Sequence, residues 1–314
     1  MKKLYFQIIV FFIPFILLAI VVFITDPYNL FNISKVFSDE EKIKCLNRSN
    51  ASSPRGNILW KTIEYRRNPV PNIILGDSRM NDVKTGTFEK MVNGKVANLS
   101  IPAGNNKTIV DLFWMAANRT KLQNVFIQTN FNRYNALFSF DLYENTKQLI
   151  DKPLYYFGRW HYIEDAFAVI YYSISKNEEY VNQSYKYQSD NWPITEKLII
   201  KEMTECEYIY PQKIYNEFAL IAQYCKEQKI NLEFIIAPDN YEYHSFIKIF
   251  KMEQKYYRFK NDLKKLGNTI DLDEGLPFSF NKKNYLDHFH LNPQMADTIA
   301  TLLFEKKTNL LTKL

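Results

Sequence analysis

Cysteine is scarce in this chain and does not cluster. Cys45, Cys206 and Cys225 are the only three in 314 residues, too few and too irregularly spaced for a zinc site. Cys206 and Cys225 can pair outside the cytoplasm, but their spacing only permits it. There is no glycine-rich phosphate loop, no His-Glu-x-x-His pattern and no internal repeat, so phosphate-cradling, zincin and solenoid readings have no footing. No metal and no cofactor is expected. Basic residues exceed acidic ones by a formal +6, but they are dispersed. No basic groove with interleaved aromatics appears, and nucleic acid is not an expected partner.

Charge is missing altogether from the 21 residues between Leu4 and Ile24, which follow Met1-Lys2-Lys3. That length crosses a bilayer core as a helix, and membranes tolerate a proline such as Pro14 better than soluble helices do. Lysines precede the span and no Ala-x-Ala-like site follows it. Residues 1–25 therefore read as an uncleaved, single-pass signal anchor of the inner (cell) membrane, with a cytoplasmic amino terminus and everything after Asp26 outside. A cleaved signal peptide is the alternative. Residues 26–69 are polar and irregular, with Ser52, Ser53, Pro54 and Gly56 close together, and read as a stalk. The remaining residues, 70–314, make up the body of the protein.

That body offers a serine at the end of a strand. The apolar run from Val70 to Leu75 reads as a buried strand and stops at Gly76-Asp77-Ser78, ahead of a helix-compatible segment. Open α/β sheets place ligands at the carboxyl ends of their strands. A serine hydroxyl is a poor nucleophile until a base takes its proton. Asp287-His288-Phe289-His290 can supply that base near the far end of the chain. Asp287 and His290, three apart, can face one point, the carboxylate orienting an imidazole whose other nitrogen faces Ser78.

Between these motifs the rhythm is α/β. Strands are expected at 95–99, 124–129, 231–237 and 268–272, and helices at 85–91, 106–118, 211–228, 245–266 and 292–303. Such alternation implies a parallel sheet with helices on both faces. Residues 133–210 are too long for a simple connection and read as an insertion, a candidate lid or acceptor platform. Its stretch Leu154-Tyr155-Tyr156-Phe157-Gly158-Arg159-Trp160-His161-Tyr162 is strongly aromatic. Tyr156 and Trp160 are candidates for stacking on a substrate, with core packing the competing reading. Arg79, beside the serine, is a third substrate-contact candidate. No Asp or Ser motif frames His161, which reads as structural.

Gly76-Asp77-Ser78, followed some two hundred residues later by Asp287-x-x-His290, resembles the first and last blocks of the SGNH (GDSL-like) hydrolase superfamily. The resemblance implies an α/β/α three-layer sandwich with a flavodoxin-like parallel sheet. It also implies Ser78 as nucleophile, His290 as base and Asp287 as its orienter. His288, the competing base, lacks a carboxylate at the family spacing. The second block resembles Ser100-Ile101-Pro102-Ala103-Gly104-Asn105. The usual spacing puts the oxyanion-donating residue at Ala103, whereas the glycine here is Gly104. The third block, Gly-x-Asn-Asp in the family, aligns its asparagine with Asn132 and its glycine with Asn130, and lacks both the glycine and the Asp. The implied oxyanion hole combines the Ser78 N–H, the Gly104 or Ala103 N–H, and the Asn132 or Asn130 amide. An anchored, outward-facing form is similar to the D-alanyl transfer protein of teichoic acid synthesis and to alginate and peptidoglycan O-acetyltransferases. That branch implies acyl transfer to or from an extracytoplasmic glycan, with a multispanning membrane acyltransferase as partner. An esterase of the same fold and a non-catalytic envelope assembly factor are the alternatives.

Overall fold

Five short apolar strands frame the second of two units in the computed structural model, which describes residues 2–46, 48, 52–138, 140–181, 191–295 and 297–311. The units are Met1–Glu64 with Glu144–Lys186, and Tyr65–Tyr143 with Tyr187–Leu314. In chain order the helices begin with α1 (Lys2–Thr25), α2 (Asp39–Leu46), α3 (Ser53–Arg67), α4 (Ser78–Asn81), α5 (Gly86–Val92), α6 (Asn106–Ala117) and α7 (Tyr143–Asp151). They continue with α8 (Trp160–Ser175), α9 (Glu178–Val181), α10 (Asn191–Thr204), α11 (Gln212–Gln228), α12 (Tyr241–Ile249), α13 (Glu253–Leu266) and α14 (Thr298–Leu311).

The strands of the second unit are β1 (Asn72–Leu75), β2 (Val96–Asn98), β3 (Asn124–Gln128), β4 (Asn231–Ile236) and β5 (Asn268–Asp271). They lie in the order β2-β1-β3-β4-β5, and every pair is parallel. This is the doubly wound, flavodoxin-like order, whose direction reverses between β1 and β3. Strand periodicity divides the apolar residues between two faces. Ile74, Phe126, Ile235 and Ile270 share one core with Phe88 of α5 and Ile299 and Leu303 of α14. Phe234, one residue away from Ile235, instead meets Phe218 of α11 with ring centroids 5.7 Å apart. The sheet is thus covered on both sides, as the α/β rhythm implies. One difference lies at 245–266, expected as a single helix. The chain breaks at Phe250–Met252, where Lys251 takes a left-handed φ of +54° and Met252 N–H closes back on the Ile247 carbonyl at 2.8 Å. Helices α12 and α13 result.

The first unit is helical. Helix α1 is long and apolar enough to cross a membrane, and its 24 residues span about 36 Å at 1.5 Å per residue. Near its end, Leu18 and Val22 pack with Tyr28, Leu59, Ile63, Tyr156, Tyr162 and Ile163. Residues 26–69, read from sequence as a stalk, contain α2 and α3. The reason is a helical stripe: Ile58, Leu59, Thr62 and Ile63 are all buried at i, i+1, i+4 and i+5, one face of a helix. The insertion divides as well. Residues 144–186 belong to the first unit and the stretch after them, with α10, to the second. All three cysteines are free thiols, so Cys206 and Cys225 do not pair.

Candidate active site

Strand β1 ends at Leu75, and the next three residues turn the chain into α4. Gly76 is there because nothing larger fits: a Cβ would stand 2.5 Å from Gln128 Oε1. That same Oε1 accepts the Asp77 N–H at 2.9 Å, so the close approach of β3 fixes the turn. Asp77 caps the helix, its Oδ1 accepting the Arg79 N–H at 2.9 Å. Ser78 therefore opens a helical turn, half-buried, at the carboxyl end of β1 and beside the point where the strand order reverses.

The far motif reaches this serine. His290 Nε2 lies 2.8 Å from Ser78 Oγ. Its Nδ1 lies 2.8 Å from Asp287 Oδ2 and 3.0 Å from Oδ1. Because the carboxylate can only accept, Nδ1 carries the proton and Nε2 is left to accept from the serine. Asp287 is held in turn by the backbone: its Oδ1 accepts the N–H groups of Phe289 and His290, both at 2.8 Å. Burial alone would raise the Asp287 carboxyl. The His290 ring and the two backbone donors outweigh it and hold the group below the ordinary carboxylate range, since each favours the ionised form.

The sequence resemblance implies three donors for the oxyanion. The Ser78 N–H, at the start of α4, has no acceptor among the described residues. In the second block, Ala103 and Gly104 differ in what their N–H groups do. Gly104 spends its N–H in a turn, donating to the Ile101 carbonyl at 2.8 Å. Ala103 sits exposed at a left-handed φ of +56°, and its N–H has no acceptor among the described residues. Gly104 has a different purpose: a Cβ there would meet the Ile101 carbonyl oxygen at 2.8 Å and that of Gly76 at 3.2 Å. It lets the second block close against the end of β1.

In the third block, Asn130 and Asn132 stand in different surroundings. Asn130 is fully buried, its Oδ1 accepting from Gln128 Nε2 and its Nδ2 donating to the Ala237 carbonyl at 3.0 Å. Its amide is a strut between β3 and β4, not a free donor. Asn132 is half-buried, and its Oδ1 accepts from Arg79 Nη2 at 3.1 Å. A guanidinium only donates, so Asn132 must turn its oxygen to Arg79 and its Nδ2 away.

Arg79, expected at the substrate, is instead an internal brace. Its side chain is 3% exposed and meets Asp77 Oδ2 at 3.2 Å and Asp239 Oδ1 at 3.3 Å. The guanidinium also lies over the Phe289 ring, 5.1 Å from its centroid. Burial raises the Asp239 carboxyl, and the facing Arg79 pulls it back. Asp239 leads into a second buried cluster. Its N–H donates to Asp273 Oδ1 at 3.1 Å, and Asp273 is also met by His244 Nε2 at 2.9 Å and Tyr256 OH at 2.8 Å. None of Gln128, Asp239 or Asp273 was singled out from sequence. The signal for Asp239 is its place, two residues past the end of the strand expected at 231–237.

His288 faces away from the serine. Its Nδ1 is 2.8 Å from Thr195 Oγ1 of α10, and its ring packs against Trp192 at 4.7 Å. Burial holds its imidazole below the ordinary value, against the pull of Glu242. It clamps α10 to the loop that carries Asp287 and His290. The aromatic stretch 154–162 belongs to the first unit. Tyr156 is 0% exposed and stacks on Tyr162 at 5.0 Å, so it is a core residue and not a substrate platform. Trp160 is 63% exposed.

No protein-family model and no curated protein matches the chain. Among solved structures, one described as a platelet activating factor from Streptococcus pneumonia is similar over 81% of this chain and 92% of that one, at 11% identity and a TM-score of 0.44.

Proposed function

We propose that this chain is a serine acyltransferase of the SGNH type, anchored by α1 with its catalytic unit outside the membrane. The observation that carries the reading is the continuous relay from Ser78 Oγ through His290 to Asp287, at 2.8 Å on each side of the imidazole, at the switch point of a doubly wound sheet. Ser78 Oγ attacks an ester carbonyl while His290 Nε2 takes its proton. The negative charge on the carbonyl oxygen meets the N–H groups of Ser78 and Ala103 and the Nδ2 of Asn132. His290 then hands its proton to the leaving alcohol, and an acyl-Ser78 ester remains. An acceptor hydroxyl attacks that ester, His290 takes the acceptor's proton, and the proton returns to Ser78 as the acyl group leaves. Asp287 keeps the imidazole in one tautomer and stabilises its protonated form throughout.

The acceptor we favour is a hydroxyl of an extracytoplasmic glycan, with an O-acetyl or similar small acyl group transferred. The exposed apolar surface of α1 supports a membrane-held enzyme, and the departures from the third family block leave every donor the chemistry needs. A multispanning membrane acyltransferase is the partner this reading calls for, since acyl groups made in the cytoplasm must cross the bilayer. The test supplies a chromogenic acetyl ester with and without glycan oligomers and follows acylated glycan by mass spectrometry. Acylated glycan that vanishes in Ser78→Ala supports transfer. Free acetate alone at every glycan concentration makes the protein an esterase, and no turnover at all with a folded protein refutes the enzymatic reading.

A further inference from the structure

The first unit holds a cluster that the serine chemistry does not use. A cavity of about 380 Å³ opens there, with Arg48, Arg55, Arg159, His161, Tyr162 and Glu164 on its wall. Arg48 Nη2 bonds Asp165 Oδ1, and Arg55 Nη1 bonds Asp165 Oδ2 at 2.6 Å. One carboxylate, 1% exposed, thus answers two guanidiniums. Arg159 bonds the neutral amide oxygens of Asn145 and Gln148, each at 3.0 Å, and is also hydrogen-bonded to the Tyr162 hydroxyl. Besides that buried Asp165, Glu164 stands on the cavity's wall; its side chain is 46% exposed, and its oxygen lies 3.7 Å from His161 Nδ1. Three guanidiniums therefore face two carboxylates, before any protonation of His161.

A guanidinium carries five N–H donors in one plane; besides the bonds above, Arg48 Nη1 donates to the Cys45 carbonyl at 3.1 Å. Planar paired donors fit the oxygens of a phosphate, and arginine is the side chain that recognises it in bidentate fashion. The place of the cavity agrees. Along α1 the apolar side chains from Leu4 to Leu17 are nearly all exposed, whereas Leu18 and Val22 pack into the core that holds Tyr162 and Ile163. Tyr28, three residues past the end of α1, has its hydroxyl 3.0 Å from Arg55 Nη1. With the exposed apolar run of α1 in a bilayer, the cavity lies at the helix exit, where headgroups are.

We infer that this cavity binds a phosphate ester, presented by the headgroup of an anionic phospholipid. The inference does not depend on the serine chemistry. Arg48 and Arg55 are poor probes, because removing either takes away one of the two cations that hold the buried Asp165. Arg159→Gln strands no charge. The full chain in detergent micelles is titrated with phosphatidylglycerol or phosphatidylcholine and examined by native mass spectrometry, and its thermal unfolding is followed with sodium phosphate or glycerol phosphate. Phosphatidylglycerol adducts are expected to exceed phosphatidylcholine adducts at least tenfold. Arg159→Gln should abolish that preference and Glu164→Gln should strengthen it, a gain that misfolding does not produce. A response to the soluble phosphates with no lipid preference would support the same site with a soluble ligand. Equal adducts of both lipids together with no shift from either phosphate, or an Arg159→Gln protein that binds as the parent does, would overturn the inference.

Discussion

Arg79 Nη2 lies 3.1 Å from Asn132 Oδ1, and this contact gives the Asn132 amide a direction. Without a donor-only partner an asparagine amide can present either end. Arg79, buried against Asp77 and Asp239, removes the choice.

Asn132→Ala is therefore expected to lower kcat by about 10²-fold or more with KM little changed, the usual signature of one lost oxyanion donor. Asn130→Ala should behave in the opposite way, reducing thermal stability by more than it reduces kcat. Steady-state kinetics and unfolding curves on both variants decide between the two asparagines. A kcat loss confined to Asn130→Ala would reverse the assignment.

Arg79→Ala removes the charge that faces Asp239 in the interior. Breaking a buried pair from one side costs about 3–5 kcal/mol, so a large fall in denaturation midpoint is expected. Arg79→Lys keeps the charge but not the fork. It should fold and show a depressed kcat, because Asn132 is no longer held.

The second block separates two neighbours. Ala103 has φ of +56°, a region that favours glycine, so Ala103→Gly should keep full activity and gain up to about 1 kcal/mol of stability. Gly104→Ala places a Cβ 2.8 Å from a backbone carbonyl and should lose both stability and turnover. Equal tolerance at the two positions, measured by melting and ester hydrolysis, would contradict the placement.

How much of this was legible in the sequence depended on which forces wrote it. The sheet was legible because buried parallel strands are short apolar runs closed by polar turns, and Val70 to Leu75 ends at the serine itself. Asp287 and His290 were legible because their pairing is local, within one turn of loop. Arg79 was not: nothing in Ser78-Arg79-Met80 announces that its partner Asp239 comes from the end of another strand, 160 positions later. Tyr156 was misplaced for a similar reason. Aromatics on a carbohydrate platform and aromatics in a helical core look alike until the packing of Tyr28 and Tyr162 around it is known. The helices within 26–69 were hidden by charges such as Asp39, Glu40, Glu64 and Arg67 on their exposed faces, while Ile58, Leu59 and Ile63 did the burying.

Asp287 adds a pH signature. Its folded carboxyl titrates below the ordinary value of 3.8, so its contribution to stability is complete above that value and is lost as the pH falls through the folded pKa. Asp287→Asn should be less stable than the parent at neutral pH, and the gap should close as the pH is lowered below 3.8. A gap that widens in acid would mean that the carboxyl is protonated in the folded protein.

His288 and His290 compete in sequence and not in space. His288→Gln should retain turnover within severalfold, because its ring is engaged with Thr195. His290→Ala should lose about 10⁴-fold or more.

The central claim is that His290 makes Ser78 a nucleophile. The most direct measurement is covalent labelling with a fluorophosphonate, followed by intact-mass and peptide mass spectrometry. The account predicts one adduct per chain, on the peptide that carries Ser78, absent in Ser78→Ala and slowed by orders of magnitude in His290→Ala. An adduct on any other residue, or labelling of Ser78 at an unchanged rate without His290, would contradict it.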